Sequence, residues 1–187
     1  MKKIIWANKG SIKHLLATQF YNCATEMWKK EGGWFPEIGI KIPGWVKQPD
    51  PMLVFPVIVN AAFSIELFLK WKLESLNITY KREHDLKCLY ESLPIDFQEE
   101  IRAKYREVVI AEAVRIDEAV NNRKVSVDSL KRNLTEEQID LFDVTFLGQL
   151  DFIKLNFVQA RYLDKPVSLD PEVVVRILEA VKRCITD

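Results

Sequence analysis

The sequence is poor in the residue types that metal sites and disulfide frameworks need. It has two histidines, His14 and His84, and three cysteines, Cys23, Cys88 and Cys184. The cysteines lie far apart and form no CxxC pair, which argues against a zinc site and against a set of disulfides. We therefore expect reduced, buried thiols and no metal.

Glycine is also scarce, with six residues in a chain of 187, and none precedes a Lys-Ser or Lys-Thr pair. A phosphate-binding loop of the Walker type needs that pattern, so this class of nucleotide motif is missing. The Gly-x-Ser-x-Gly sequence of a nucleophile elbow is missing as well. We expect no cofactor, and no motif names a reaction.

The chain has no excess of charge of one sign, because 27 Lys and Arg residues balance 27 Asp and Glu residues. This balance removes the usual electrostatic argument for nucleic acid binding. A local exception is the basic segment 121–134, which we expect to be a solvated loop, with a binding patch as the alternative. The hydrophobic fraction of 48% excludes disorder, and the length fits one domain, residues 1–187.

Long uninterrupted hydrophobic runs are missing. The apolar start of the chain stops before Asn8, which is too early for a secretory signal. The most apolar stretch, residues 53–69, is interrupted by Pro56 and Glu66 and is shorter than the roughly 20 residues of a membrane span. We therefore expect no membrane segment and a cytoplasmic protein.

Helical periodicity is present instead. Apolar residues recur at steps of three and four, and no alternating run flanked by turn residues predicts a strand. The expected fold is all-α, a single up-and-down bundle of about five to six helices. A long loop that is rich in proline and aromatic residues, 32–51, follows the first helix. Residues 52–76 are apolar on nearly every side and predict the central helix of the bundle.

The first helix is expected to begin at a Ser11 cap and to end before Gly32-Gly33. Its predicted core face consists of Ile12, Leu15, Leu16, Phe20, Cys23, Met27 and Trp28. Later boundaries follow from other local signals. A short third helix is expected to begin at His84 or Asp85. The fourth is expected to begin at Asp96 with Glu99 and to end at Asn121-Asn122. The fifth is expected to begin at Thr135 with Gln138, and the last at Asp170-Pro171.

Polar side chains within this apolar frame mark the candidate site. Glu66 and Lys70 are spaced i, i+4 on the most apolar helix, so burying them requires partners. His84 at a helix start, together with Arg161, would suit an anion. The candidate polar cluster consists of Asn60, Glu66, Lys70, His84, Asp85, Arg161 and Tyr162. A ligand site and a device that only fixes helix register both fit this cluster.

Three ordered segments resemble bacterial members of the HEPN superfamily. They read Asn-Ala-Ala-Phe-Ser-Ile-Glu-Leu-Phe-Leu-Lys at residues 60–70, His-Asp-Leu-Lys-Cys-Leu-Tyr at 84–90, and Phe-Val-Gln-Ala-Arg-Tyr at 157–162. The resemblance implies an up-and-down helical bundle that commonly forms homodimers. It also implies a link to RNA cleavage, nucleotide binding, or defence and toxin–antitoxin systems.

The chain departs from this family at the catalytic pair. Catalytic members carry an arginine and a histidine separated by four to six residues, but Asn77, Ile78 and Thr79 stand where an arginine would pair with His84. We therefore expect a non-catalytic HEPN-like homodimer that binds a partner protein, RNA or a nucleotide. One alternative is a metal-independent ribonuclease that brings His84 and Arg161, the candidate catalytic residues, together in space. The other is a purely structural or scaffold dimer.

Overall fold

A computed structural model describes residues 9–30, 51–80, 84–121, 134–162 and 171–186. Side chains are described in these ranges except for residues 9–11, 51–54, 115–121, 154–162 and 186. All regular structure in the described ranges is helical. The helices are α1 (Lys9–Lys30), α2 (Pro51–Ser75), α3 (Leu86–Glu91), α4 (Ile95–Asn121), α5 (Glu136–Tyr162) and α6 (Pro171–Thr186). The prediction of an all-α bundle is confirmed.

The helix α2 lies at the centre of this bundle and contacts α1, α3, α5 and α6. Its core residues include Val57, Ala61, Ile65, Leu69 and Leu73, each at most 1% exposed. A helix that is apolar all round is stable in water only when neighbours surround it. The central position predicted from its composition is therefore confirmed.

The helix α1 turns a different face to the core from the one its sequence predicts. The buried apolar residues are Ala17, Tyr21, Ala24 and Trp28. Three residues of the predicted face, Ile12, Leu15 and Leu16, are instead 38%, 58% and 39% exposed. Of the predicted face, Trp28 is buried and Cys23 is exposed.

Small residues explain this choice of face. Ser64 Oγ donates a 2.8 Å hydrogen bond to the carbonyl oxygen of Ala17, so α1 and α2 approach closely at that point. A larger side chain at position 17 would hold the two backbones apart.

The helix α1 begins at Lys9, before Ser11, so the prediction that Ser11 caps it is wrong.

Two of the predicted caps form as local sequence indicates. Asp85 caps α3, and its Oδ1 accepts a hydrogen bond from the Cys88 backbone N–H at 3.1 Å. At the start of α5 the Thr135 N–H donates to Gln138 Oε1 at 2.9 Å, and the Gln138 N–H donates to Thr135 Oγ1 at 3.3 Å. This reciprocal pair is a complete capping box. The described part of α4 extends to Asn121, and Asn122, the other residue of the predicted end, lies outside the described residues.

The predicted capping box of Asp96 and Glu99 is wrong. The helix α4 begins at Ile95, so Asp96 lies inside its first turn. The carbonyl oxygen of Pro94 accepts a 3.0 Å hydrogen bond from the Phe97 N–H. The helix therefore begins earlier than the carboxylate pattern indicates, with the Pro94 carbonyl as its first acceptor.

The last helix, α6, packs on α2 and α4. Val174, Ile177, Leu178, Val181 and Cys184 are buried, as the sequence predicts. The predicted cap Asp170, the loop up to residue 50 and residues 122–133 of the basic segment lie outside the described residues. None of the described helices is both long enough and apolar enough to cross a bilayer.

Candidate functional site

A cleft of about 620 Å³ lies between α1, α2 and the segment that joins α2 to α3. Its polar lining consists of Lys13, Glu66, Lys70, Glu74, Thr79, Tyr80 and His84. Glu66, Lys70 and Glu74 follow one another at intervals of four residues, so they share one face of α2. The volume falls in the range of roughly 300–1,000 Å³ that is typical of small-ligand sites.

Glu66 is the most deeply placed charged group of this cleft, at 4% exposure. Lys70 Nζ lies 2.6 Å from its Oε1, and His84 Nδ1 lies 2.9 Å from its Oε2. Such a buried carboxylate needs charged or hydrogen-bonding partners to offset the loss of water. Lys70 and His84 provide them from the same helix and from the start of the next.

His84 stands at the edge of the cleft, and its side chain is 55% exposed. An ionised carboxylate can only accept hydrogen bonds, so Nδ1 is the protonated nitrogen in this contact. The Nε2 atom has no hydrogen-bond partner among the residues that the structure describes. The neutral imidazole therefore presents a lone pair to the cleft, and the protonated imidazole presents a second N–H donor.

Glu74 forms a second polar centre in the same cleft. Lys13 Nζ of α1 donates a hydrogen bond to its Oε1, and Tyr80 Oη donates to the same atom at 2.7 Å. Burial alone would raise the pKa of Glu74, but the hydrogen bonds from Lys13 and Tyr80 outweigh it and lower the pKa. Burial would likewise lower the pKa of Lys13, but its hydrogen bonds to Glu74 and Tyr80 raise it. The pair therefore stays ionised and fixes α1 to α2.

The described polar lining of the cleft is electrically balanced. Lys13 pairs with Glu74, Lys70 pairs with Glu66, and His84 adds charge only when it is protonated. An anionic ligand would thus be attracted mainly by the His84 imidazolium, or would take over a lysine from its carboxylate. This arrangement differs from a phosphate site built on unpaired basic residues.

The structure brings together Glu66, Lys70 and His84 from the candidate cluster, and it places Asn60 and Asp85 elsewhere. Asn60 lies apart, and its Nδ2 donates a 2.8 Å hydrogen bond to the Pro56 carbonyl. Asp85 is buried and serves as the cap of α3. Arg161 and Tyr162 belong to α5, but their side chains are not among those described.

Three residues of the cleft, Lys13, Glu74 and Tyr80, are not identified by sequence reasoning. The spacing of Glu74 four residues after Lys70 is a signal that could have found the first of them. No local pattern points to Lys13, which lies 61 residues from Glu74, or to Tyr80. Within the described ranges no group of three His, Cys, Asp or Glu side chains is placed to hold a metal ion.

Comparison of the chain with protein-family models, with curated proteins and with solved structures finds no match.

Proposed function

We propose that the protein is a non-catalytic, HEPN-like binding protein whose cleft at His84 holds a nucleotide or the end of an RNA strand. One observation supports this most. A half-exposed imidazole is held by a buried carboxylate at the edge of a cleft of about 620 Å³. The phosphate would meet the protonated imidazole and Lys70, and the base would lie against the half-buried side chains of Leu67 and Ile78.

The proposal of binding without catalysis rests on the cations of the cleft. Metal-free RNA cleavage needs a base for the 2′-hydroxyl and a cation that stabilises the charge on phosphorus. Both described lysines of the cleft are already paired with carboxylates, and no arginine is among its described lining residues. Such a site can hold a phosphate. It would do little to stabilise the additional negative charge that develops on the phosphate oxygens during a reaction.

A binding measurement tests this proposal. We expect adenosine monophosphate, or a short 5′-phosphorylated single-stranded RNA, to bind in a fluorescence titration. His84→Ala should weaken that binding by about tenfold or more, because it removes the imidazolium that would contact the phosphate. Lys87→Ala is the matched control, since Lys87 pairs with Asp151 outside the cleft. If neither probe binds the wild-type protein, the proposal is wrong.

A ribonuclease is the second candidate, and the Glu66–His84 contact favours it. A carboxylate that orients the imidazole through Nδ1 leaves Nε2 free to take a proton, which is the arrangement of many general bases. His84 would accept the 2′-hydroxyl proton while the 2′-oxygen attacks phosphorus to form a 2′,3′-cyclic phosphate. The bond from phosphorus to the 5′-oxygen breaks, and that oxygen takes a proton from water. The test is incubation of labelled RNA with pure protein in chelator. Cleavage that disappears in His84→Ala would establish this candidate over simple binding.

A homodimer is the third part of the proposal, and the exposed apolar residues of α1 favour it. Ile12, Leu15 and Leu16 are spaced so that they share one surface of α1, and all three reach solvent in the single chain. We expect sedimentation to give a dimer mass for the wild type and a monomer mass for Leu15→Glu. A wild-type monomer at every concentration tested would remove this part of the proposal. A dimer that binds neither nucleotide nor RNA would instead favour a scaffold.

A further inference from the structure

A second cavity lies between α4, α5 and α6, and it shares no described lining residue with the cleft at His84. Its volume is about 370 Å³, which is also within the usual range for small organic ligands. Leu141 stands on its lining and is 66% exposed, so the cavity opens to solvent there. The proposed function does not involve this cavity.

Most of the lining of this cavity is apolar. Tyr105 and Val109 contribute from α4, Leu141 and Phe142 contribute from α5, and Leu134 lies just before α5. Tyr105 is only 2% exposed, and its ring packs against Phe146 with centroids 5.1 Å apart. These contacts hold the ring of Tyr105 in place, so this side of the cavity is preformed.

One side of the cavity offers a hydrogen-bond donor that lacks a partner. Tyr105 Oη donates to Gln149 Oε1 at 2.6 Å, which fixes the orientation of the Gln149 amide. The amide oxygen is thereby used, while its Nε2 has no hydrogen-bond partner in the described part of the chain. A half-buried amide donor without a partner favours a ligand that brings an acceptor.

The positive charge beside the Gln149 amide is that of Arg176, and it is already paired with carboxylates. Arg176 also lines the cavity, and its guanidinium binds Glu112 and Glu172, with Nη2 at 2.8 Å and 3.0 Å from their carboxylate oxygens. Two carboxylates surround one guanidinium, so a third negative charge would be repelled. An ammonium group cannot take the place of this acceptor, because it has no lone pair to offer Gln149. The polar side of the cavity therefore suits an acceptor without net charge.

We propose that this cavity binds a small, uncharged, mainly apolar molecule that carries a carbonyl-type acceptor. The acceptor meets Gln149 Nε2, and the apolar body packs between Val109, Phe142 and Leu141. No covalent step is involved.

Three probes with the same ring test this selectivity: benzamide, benzoate and benzylamine. Titration of isotope-labelled full-length protein is followed by NMR on the Gln149 side-chain amide and on the backbone amides of Val109 and Leu141. We expect saturable shifts with benzamide, and at least about tenfold weaker binding of benzoate and benzylamine. Equal binding of the three probes, no saturable binding, or shifts confined to other parts of the protein would each overturn the proposal.

Two variants separate ligand binding from structural support. Gln149→Met replaces the amide donor by an apolar group and keeps the length of the side chain, so the preference for benzamide should disappear. Gln19→Met makes the same change at an exposed position of α1 that does not line the cavity, so benzamide affinity should stay within a few fold of wild type. If both variants lose the preference equally, the donor is not the recognition element. The three-probe comparison on the wild-type protein remains decisive if either variant fails to fold.

Discussion

Tyr21 Oη of α1 donates a 2.8 Å hydrogen bond to Glu179 Oε2 of α6, across 158 residues of sequence. Glu179 is 2% exposed, and its other oxygen accepts a 2.9 Å hydrogen bond from Arg183 Nε. A carboxylate at this depth has given up its water, and these two donors replace it. The contact thus links α1 to α6 through a charged group inside the bundle.

Tyr21→Phe removes one donor and leaves a buried charged acceptor short of a partner. We expect the free energy of unfolding to fall by about 1–3 kcal/mol, the usual range for a hydrogen bond to a charged group. Urea unfolding measures this change. Tyr105→Phe is the control, because Tyr105 donates to the neutral amide of Gln149 and its loss should be smaller. A larger effect at Tyr105 would contradict our account of Glu179.

Glu66→Gln should reduce stability by about 1–3 kcal/mol. The loss falls below the full value for a buried ion pair, because His84 and Lys70 still reach solvent. Glu66→Gln leaves Lys70 without its carboxylate partner, and Lys70→Met removes that unpaired lysine. The double variant should therefore be more stable than the sum of the two single changes predicts. Urea unfolding of the four proteins of this cycle measures the coupling, and strict additivity would show that the 2.6 Å contact contributes nothing.

The cluster of Lys13, Glu74 and Tyr80 predicts a pH dependence of stability. The pKa of Glu74 is lowered in the folded protein, so its contribution is complete above the ordinary glutamate value and is lost as the pH falls through the lower folded value. The pKa of Lys13 is raised, so its contribution is complete below the ordinary lysine value and is lost at still higher pH. The pKa of Tyr80 is raised by burial and by its hydrogen bond to Glu74. Because the unfolded chain loses this proton first, the raised pKa also makes stability fall at high pH.

Thermal unfolding of wild type and of Glu74→Gln across the pH range measures the acidic limb. The difference in Tm should be constant near neutral pH and should shrink in acid, below the ordinary glutamate value. Glu137→Gln is a suitable comparison, because Glu137 is an exposed residue in the first turn of α5. A difference at Glu74 that persists unchanged in acid would show that the loss arises from packing and not from charge.

Gly148→Ala should stabilise the protein by about 0.5–1 kcal/mol, because alanine restricts the unfolded chain and favours helix. Gly148 lies in the interior of α5, and apart from its chain neighbours and the adjacent backbone of its own helix, no described atom comes within 4 Å of the position that a Cβ would take. Gly148→Val should stabilise the protein less than alanine does, since a β-branched side chain loses rotamer freedom in a helix. Urea unfolding measures both changes. A loss of stability with alanine would show that this surface is covered in solution.

Sequence predicts those features whose cause is local. The Thr135–Gln138 box, the Asp85 cap and the central position of α2 follow from neighbouring residues or from the composition of one segment. The face of α1 does not follow, because both of its faces are apolar. The choice depends on how closely α2 approaches Ala17, which is a property of the pair of helices.

The candidate site shows the same division. The Glu66–Lys70 contact follows from a spacing of four residues. His84 reaches Glu66 from 18 residues away, which requires the chain to turn after α2. Asn77 has a positive φ of 56° in that turn, and asparagine tolerates this conformation better than most residues. Lys13 meets Glu74 only through the packing of α1 on α2, so no pattern along the chain could place it there.

The enclosure of α2 has a consequence for how the molecule opens. Its backbone amides near Ile65 and Leu69 can reach solvent only when the neighbouring helices detach, so their exchange with deuterium should follow global unfolding. Exposed positions of α5, such as Leu141 and Val144, should exchange through smaller local openings. Glu66 and Lys70 are carried by the slowly exchanging helix, so one wall of the cleft at His84 keeps its shape while the outer helices fluctuate.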